Sequence, residues 1–143
     1  MFIGEYSHNL DNKGRMAVPA KFRVLLEGGA VVTRGLDNCL FLYPKKQWEV
    51  LAAKLANLPI GQAKARAFGR LMLAGAMDVD FDNQGRITLP EYLRKFAGLK
   101  NKSIVAGLYD RLEIWEEGAW NKYKVKAEKQ SNSIAETLGQ LGV

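Results

Sequence analysis

Leu10-Asp11-Asn12-Lys13-Gly14-Arg15-Met16-Ala17-Val18-Pro19 recurs 71 positions later as Phe81-Asp82-Asn83-Gln84-Gly85-Arg86-Ile87-Thr88-Leu89-Pro90. The correspondence continues past the proline, with Phe22 and Arg23 matched by Leu93 and Arg94. It resumes at an offset of 72, where Val32, Gly35, Leu36, Leu40, Leu42, Tyr43 and Trp48 align with Ile104, Gly107, Leu108, Leu112, Ile114, Trp115 and Trp120. A one-residue insertion ahead of the later strands accounts for the change of offset. Self-similarity at a fixed period marks a repeated structural unit. The chain is therefore expected to work through paired copies of one hairpin.

Each copy reads as strand, tight turn, strand, short helix, two further strands and a helix. Tyr6, His8 and Leu10 alternate with smaller or polar residues, as in a half-buried strand. Asp11-Asn12-Lys13-Gly14 supplies turn chemistry: the Asp side chain can accept from the backbone two residues on, and Gly accepts a positive φ where the second strand begins. Pro19 fits the first turn of a helix running through Phe22, Leu25 and Leu26 to a stop at Gly28-Gly29. Ala30–Arg34 and Leu40–Tyr43 are β-rich runs around Gly35-Leu36-Asp37-Asn38, a second hairpin. Between the copies, Trp48, Leu51, Leu55 and Leu58 predict a helix from Lys45 to Asn57, closed by Pro59 and Gly61. A second helix is predicted over Gln62–Met77, with Phe68, Leu71, Met72 and Gly75 on one stripe. The second copy ends in a helix from Glu117 to Lys129. Ile134, Leu138 and Leu141 then form a short amphipathic stripe that can dock on a neighbouring subunit or fray.

At 143 residues the chain can hold one domain, or two halves of about 70 residues that share a core, because halves so small rarely stand alone. No low-complexity linker separates the copies, so they are read as one intertwined unit. Cys39 is the only cysteine, which leaves no internal disulfide and no cysteine-based metal site. Met1-Phe2-Ile3-Gly4-Glu5-Tyr6 lacks the pattern of a secretory signal. No apolar run approaches the roughly 18 residues of a membrane span. A reduced, cytoplasmic location is expected. The formal charge is +6, with a pI near 9.5. Residues 1–75 carry 11 Lys and Arg against 5 Asp and Glu, whereas residues 76–143 carry 10 against 10. The excess thus lies in the first copy and suits either a polyanion such as nucleic acid or a solvated basic surface.

Catalytic readings find little to stand on. His8 is the sole histidine and sits on an alternating strand, where a structural role fits better than that of a base or ligand. No Walker-type loop, G-x-S-x-G or H-E-x-x-H occurs. Strand spacing would place Asp78, Asp80 and Asp82 on one face, able in principle to bind a divalent cation for phosphodiester hydrolysis. The EF-hand pattern fails at Asn83 and Leu89, and a solvated face or an arginine partner across a subunit contact suits the trio better. No metal site, cofactor or enzyme activity is expected.

The repeated hairpin offers more. Its tip carries Lys13 and Arg15 in one copy, Gln84 and Arg86 in the other. A β-ribbon can enter the major groove, where Arg pairs bidentately with guanine while Lys or Gln reaches neighbouring edges or phosphate. Alternatively, Arg15 and Arg86 pair with Asp11 and Asp82 and staple the turns; the roles need not exclude each other. Lys21 and Arg23 follow on the short helix and are either phosphate contacts or solvated charges.

The repeated Asp-x-x-x-Arg hairpin, the Gly-Arg-x-x-x-Pro run and the Trp-terminated second half of each copy resemble the MraZ family. Leu40-Phe41-Leu42-Tyr43-Pro44 with Trp48, and Arg70-Leu71-Met72-Leu73-Ala74-Gly75-Ala76, are similar to the same pattern. The resemblance runs from Met1 to about Lys126. It implies an α+β fold of tandem AbrB-like, swapped-hairpin β-barrel units with flanking helices and a pseudo-twofold duplication. The units would span 1–58 (repeat 1) and 77–129 (repeat 2), with a connecting helix at 59–76 and a helical tail at 130–143. It further implies a ring-shaped homo-oligomer, octamer-like, associated with the nucleoid. Such a ring would bind double-stranded DNA at tandem promoter repeats, including those upstream of its own gene at the head of the division and cell-wall cluster, and act mainly as a repressor. The motif arginines map onto Arg15 and Arg86, with Lys13, Gln84, Lys21 and Arg23 as further DNA-binding candidates and Asp11, Gly14, Asp82 and Gly85 as turn residues. Gln84 in place of a second lysine departs from a symmetric pair. A protein-interaction scaffold or antitoxin-like module is the competing expectation, since AbrB-like hairpins also occur in antitoxins.

Overall fold

The structure, a computed structural model, describes all 143 residues. In chain order the strands are β1 (Phe2–Asn9), β2 (Arg15–Ala17), β3 (Ala30–Arg34), β4 (Leu40–Pro44), β5 (Met77–Val79), β6 (Arg86–Thr88), β7 (Lys102–Tyr109) and β8 (Leu112–Glu116). The helices are α1 (Ala20–Arg23), α2 (Lys45–Ala56), α3 (Ala63–Gly69), α4 (Glu91–Phe96), α5 (Glu117–Lys129) and α6 (Ser131–Leu138). α1 and α4 each begin directly after a proline, Pro19 and Pro90, whose missing N–H costs nothing at a helix start.

Strand pairing crosses between the two copies. β1 lies antiparallel on β7, with Phe2 opposite Tyr109 and Asn9 opposite Lys102. β5 lies antiparallel on β3, with Ala30 opposite Val79 and Val32 opposite Met77. The main sheet has the order β1-β7-β8-β4-β3-β5, and β2 pairs with β6 in a separate two-stranded ribbon. Exchanging the copies (β1 for β5, β3 for β7, β4 for β8) returns the same order read backwards. β1 can approach β7 closely because Gly107 has no side chain: a Cβ there would overlap the backbone of Phe2 and Ile3.

The simple hairpin expected of Leu10–Pro19 is therefore corrected. β1 and β2 meet only at the bridge Leu10–Met16, after which each strand leaves for a partner in the other copy. A tight turn fixes only local geometry; β2 pairs with β6, which sets Met16 opposite Ile87, both fully buried in the common core. The strands also do not close into a continuously hydrogen-bonded barrel, because the ribbon forms its own sheet. The helix predicted over Gln62–Met77 is shorter too. α3 runs on from Gly69 without a break into a single wide π-helical turn over Arg70–Ala74, so the helical segment stops at Ala74, and Met77 opens β5. Pairing with β3 overrides helix propensity here. The carbonyls freed by the wide turn accept from the Thr33 hydroxyl (2.6 Å to Met72) and from Arg34 Nη1 (3.0 Å to Leu71).

Both faces of the main sheet are covered, which explains why Ala30–Thr33, Leu40–Tyr43 and Leu112–Trp115 are buried without alternation. On one face Met16, Val18, Phe22, Leu26, Leu40 and Leu42 from the first copy pack with Ile87, Leu89, Leu93, Val105, Leu112 and Ile114 from the second in a single core. On the other, Cys39, Phe41, Tyr43, Ile104 and Trp115 pack beneath Leu55 of α2 and Met72 of the wide turn, with Trp48, Leu51, Phe68 and Trp120 at the margin. Burial holds the Cys39 thiol well above its ordinary pKa, so it stays protonated and inert.

Because neither copy owns a separate core, denaturant should unfold the protein in one cooperative transition. Met16→Ala and Ile87→Ala, one in each copy and both fully buried, should each lower the stability by about 2–5 kcal/mol and shift that same transition, measured by urea titration. Two separable transitions would show independent halves.

Candidate nucleic-acid interface

The two turns have nearly identical geometry. Asp11 Oδ1 accepts the backbone N–H of Lys13 and of Arg15, both at 2.9 Å, and Oδ2 accepts from Arg15 Nε at 2.7 Å. In the second copy Asp82 Oδ1 accepts the N–H of Gln84 and of Arg86 at 2.9 Å, and Oδ2 accepts from Arg86 Nε at 2.8 Å. Backbone bonds from Gly14 to Asp11 (3.1 Å) and from Gly85 to Asp82 (3.0 Å) close each turn. Both glycines adopt positive φ, +77° and +74°, where a side chain would be strained. Asp-x-x-x-Arg spacing is thus what the turn needs: one carboxylate oxygen to order the loop backbone, the other to fix the arginine.

The donors on Asp11 hold its carboxyl at about 2, well below the usual range. The largest cause is the Arg15 backbone N–H; the guanidinium and the Lys13 N–H add to it. Asp82 is lowered in the same way, first by the Arg86 N–H. The turns therefore depend on their guanidinium groups only in part. Each arginine is anchored through Nε alone, and its terminal Nη groups have no partner in the chain.

β2 and β6 bring the two arginines together. Their register sets Arg15 opposite Thr88, Met16 opposite Ile87 and Ala17 opposite Arg86. Alternation along a strand then turns Met16 and Ile87 inward, where both are fully buried, and places Arg15, Ala17, Arg86 and Thr88 on the outer face. Arg15 and Arg86 are diagonal neighbours on that face, with backbones about 7–8 Å apart. Ala17 and Thr88 beside them are small, and the two arginine side chains stay partly accessible, at 31% and 27%.

The remaining residues singled out in the sequence fall in different places. Lys13 and Gln84 are exposed on the turns at the two ends of the ribbon. Lys21 sits with its ammonium 4.7 Å from the Tyr6 ring centre and 5.1 Å from that of Phe22, against β1 rather than on the ribbon. Arg23 lies against Gly85 of the other copy's turn. Sequence reasoning passed over two participants, Thr88 on the ribbon face and Arg94, which covers Gly14. Arg94 carried a signal, its alignment with Arg23, but nothing local pointed to its partner. Asp78, Asp80 and Asp82 do not share one strand face as expected: β5 stops at Val79, Asp82 is committed to Arg86, and the three form no cluster able to hold a metal ion. His8 is half-buried on β1, and burial lowers its pKa.

Fold and site together define a mixed α+β protein in which two similar halves exchange strands and jointly present a pair of arginines on a two-stranded ribbon. The sequence profile described as "MraZ protein, putative antitoxin-like" matches the chain twice, over residues 1–71 and 72–141. The chain is 47% identical over 138 residues (96% of each chain) to a protein named transcriptional regulator MraZ from Natranaerobius thermophilus. It is 46% identical over 143 residues (100% of each) to the protein of that name from Halothermothrix orenii, and 45% identical over 141 residues (99% of each) to that from Desulforamulus reducens. The chain belongs to the MraZ family. No helix is long and apolar enough to cross a membrane.

The Asp11 carboxyl should titrate near pH 2 by NMR, below the ordinary value of about 3.9. Because its pKa is depressed on folding, its stabilising contribution is complete above the ordinary carboxylate range and is lost as pH falls from about 4 towards 2. Arg15→Ala should leave Asp11 still below the ordinary range, since the backbone donors persist. A return to about 3.9 in that variant would place the whole effect on the guanidinium.

Proposed function

We propose that this chain is a sequence-specific, double-stranded-DNA-binding transcriptional regulator, acting as a repressor, and that the β2–β6 ribbon is its reading element. The observation that carries the proposal is the register that sets Arg15 and Arg86 side by side on the exposed face, opposite a fully buried Met16 and Ile87. A B-DNA major groove is about 12 Å wide and admits a two-stranded ribbon; an arginine's terminal nitrogens match guanine O6 and N7. Anchoring through Nε fixes the direction of each guanidinium before DNA arrives, which lowers the entropy lost on binding. Lys13 beside the ribbon supplies a phosphate or base-edge contact, and Gln84 occupies the corresponding place in the second copy with hydrogen bonding but no charge. Arg23 and Lys21 contribute to the positive field; a direct contact is assigned to neither.

The names of the relatives support regulation of transcription, and the net charge of +6 supports a polyanionic partner. We assign the interleaved sheet to the AbrB-like swapped-hairpin class, with repeats over 1–58 and 77–129, a connector over 59–76 and a tail over 130–143. The assembly proposed is a ring-shaped homo-oligomer whose subunits engage tandem promoter repeats, including those upstream of the protein's own gene in the division and cell-wall cluster. It acts in the cytoplasm at the nucleoid and carries no enzymatic activity. The profile's "antitoxin-like" description supports a second reading, an interaction module for an acidic protein partner. A shift of promoter DNA that persists against scrambled competitor separates the first reading from the second.

Arg15→Ala should weaken binding by about 1–3 kcal/mol per subunit contact, multiplied by avidity in an assembly, while sedimentation of the protein stays unchanged. Arg86→Ala should do the same, because both side chains share one face. Undiminished promoter binding by both variants would remove the ribbon from the interface. Inserting half a helical turn, about 5 bp, between adjacent promoter repeats should cut affinity sharply if several subunits bind one side of the duplex; indifference to spacing would rule out simultaneous engagement.

A further inference from the structure

Both turn glycines, Gly14 and Gly85, are buried although they lie at the tips of exposed loops. What covers each is an arginine from the other copy. The guanidinium of Arg94 lies over Gly14, with Nε and Cζ 2.7 Å from where a Cβ would stand, and the guanidinium of Arg23 occupies the same place over Gly85. Arg94 Nε also donates to the Leu89 carbonyl at 3.0 Å. Leu89 in turn donates its N–H to the Gly14 carbonyl (2.8 Å), and Val18 donates to the Gly85 carbonyl (3.3 Å). Each tip is thus gripped from the opposite half, by a strand on one side and a planar cation on the other.

We infer that Arg23 and Arg94 are positioning residues that latch the two turns across the copy boundary and so hold Arg15 and Arg86 in their reading orientation. The inference rests on the DNA-binding reading proposed above and extends it to residues that lie behind the contact face. The latch acts through shape and hydrogen bonding rather than through charge. A glycine at positive φ gives a turn great conformational freedom, and a turn tip in water has little else to restrain it. A flat guanidinium resting on the bare Cα removes that freedom and excludes water from the turn's backbone bonds. The fit needs glycine on one side and a planar head on the other. Lysine, with the same charge but a tetrahedral ammonium, cannot reproduce it. Since each arginine crosses to the other copy, the latch exists only when the halves are interleaved, and the reading face forms only then.

The experiment compares wild type, Arg94→Ala, Arg94→Lys and Arg23→Lys in the full chain. Two readouts are taken: affinity for the duplex upstream of the protein's own gene against a scrambled duplex over a range of salt, and amide exchange at the turns. The inference expects Arg94→Lys to bind as weakly as Arg94→Ala, on the order of tenfold below wild type. It expects an unchanged salt slope and faster exchange at Gly14 and Arg15 but not at Gly85 and Arg86. Arg23→Lys should show the mirror-image pattern of exchange. Full affinity and unchanged exchange in Arg94→Lys would overturn it. A salt slope reduced by about 0.9 in Arg94→Ala, with slow exchange retained, would also overturn it by making Arg94 a phosphate contact. If wild type fails to prefer the upstream duplex, the DNA-binding reading fails, and exchange alone then decides whether the latch exists.

Discussion

Apart from the bridge Leu10–Met16, the first two strands of each half pair with the other half: β1 on β7, β5 on β3, and β2 on β6. An unpaired backbone strand is costly to bury and hazardous to expose, so neither half can complete its sheet or cover its core alone. From this one constraint the rest follows. The core is drawn from both halves at once, the order of strands reads the same from both ends, and the ribbon stands where the two copies meet. A single polypeptide thereby achieves what would otherwise need two chains, with the added freedom that its halves can differ.

That freedom has been used at the ribbon. The turns match bond for bond, from the Asp carboxylate to the arginine Nε, yet one carries Lys13 and the other Gln84. Within the turns the Asp-centred hydrogen bonds agree to within a tenth of an ångström, while the surface displayed there differs. Under the proposed function, such a pair can approach a pseudo-symmetric stretch of duplex while favouring one direction along it. The first half also carries the whole excess of positive charge, which biases the electrostatic field in the same sense.

The carboxylates Asp11 and Asp82 each order a turn and fix one edge of its arginine. Each spends one oxygen on two backbone amides and the other on a single guanidinium nitrogen. The first set of bonds keeps the loop closed; the second aims the arginine and leaves its far edge free. The staple uses only the Nε edge of each arginine, and the base contact proposed above would use the opposite edge of the same side chain. Exposed ion pairs contribute little to stability on their own, so the pairing matters for orientation more than for holding the fold together.

Local chemistry was legible in the amino-acid order alone. The repeat, the turn residues, the proline-initiated helices, the boundaries of α2 and α5 to within a residue, and the pairing of Asp with Arg four positions on all depend on neighbours close along the chain. What the order could not give was the partner of any strand, because an alternating pattern states which face is buried and not against which segment. Gln62–Met77 read as one helix for the same reason: its last residue, Met77, is recruited to β3 opposite Val32, 45 positions earlier in the chain. Arg23 and Arg94 were visible as a matched pair but not as latches, since each acts on a glycine more than 60 residues distant. Distances along the chain decide turns and helices; only the folded arrangement, where burial and backbone pairing are settled together, decided that Arg15 and Arg86 share one face.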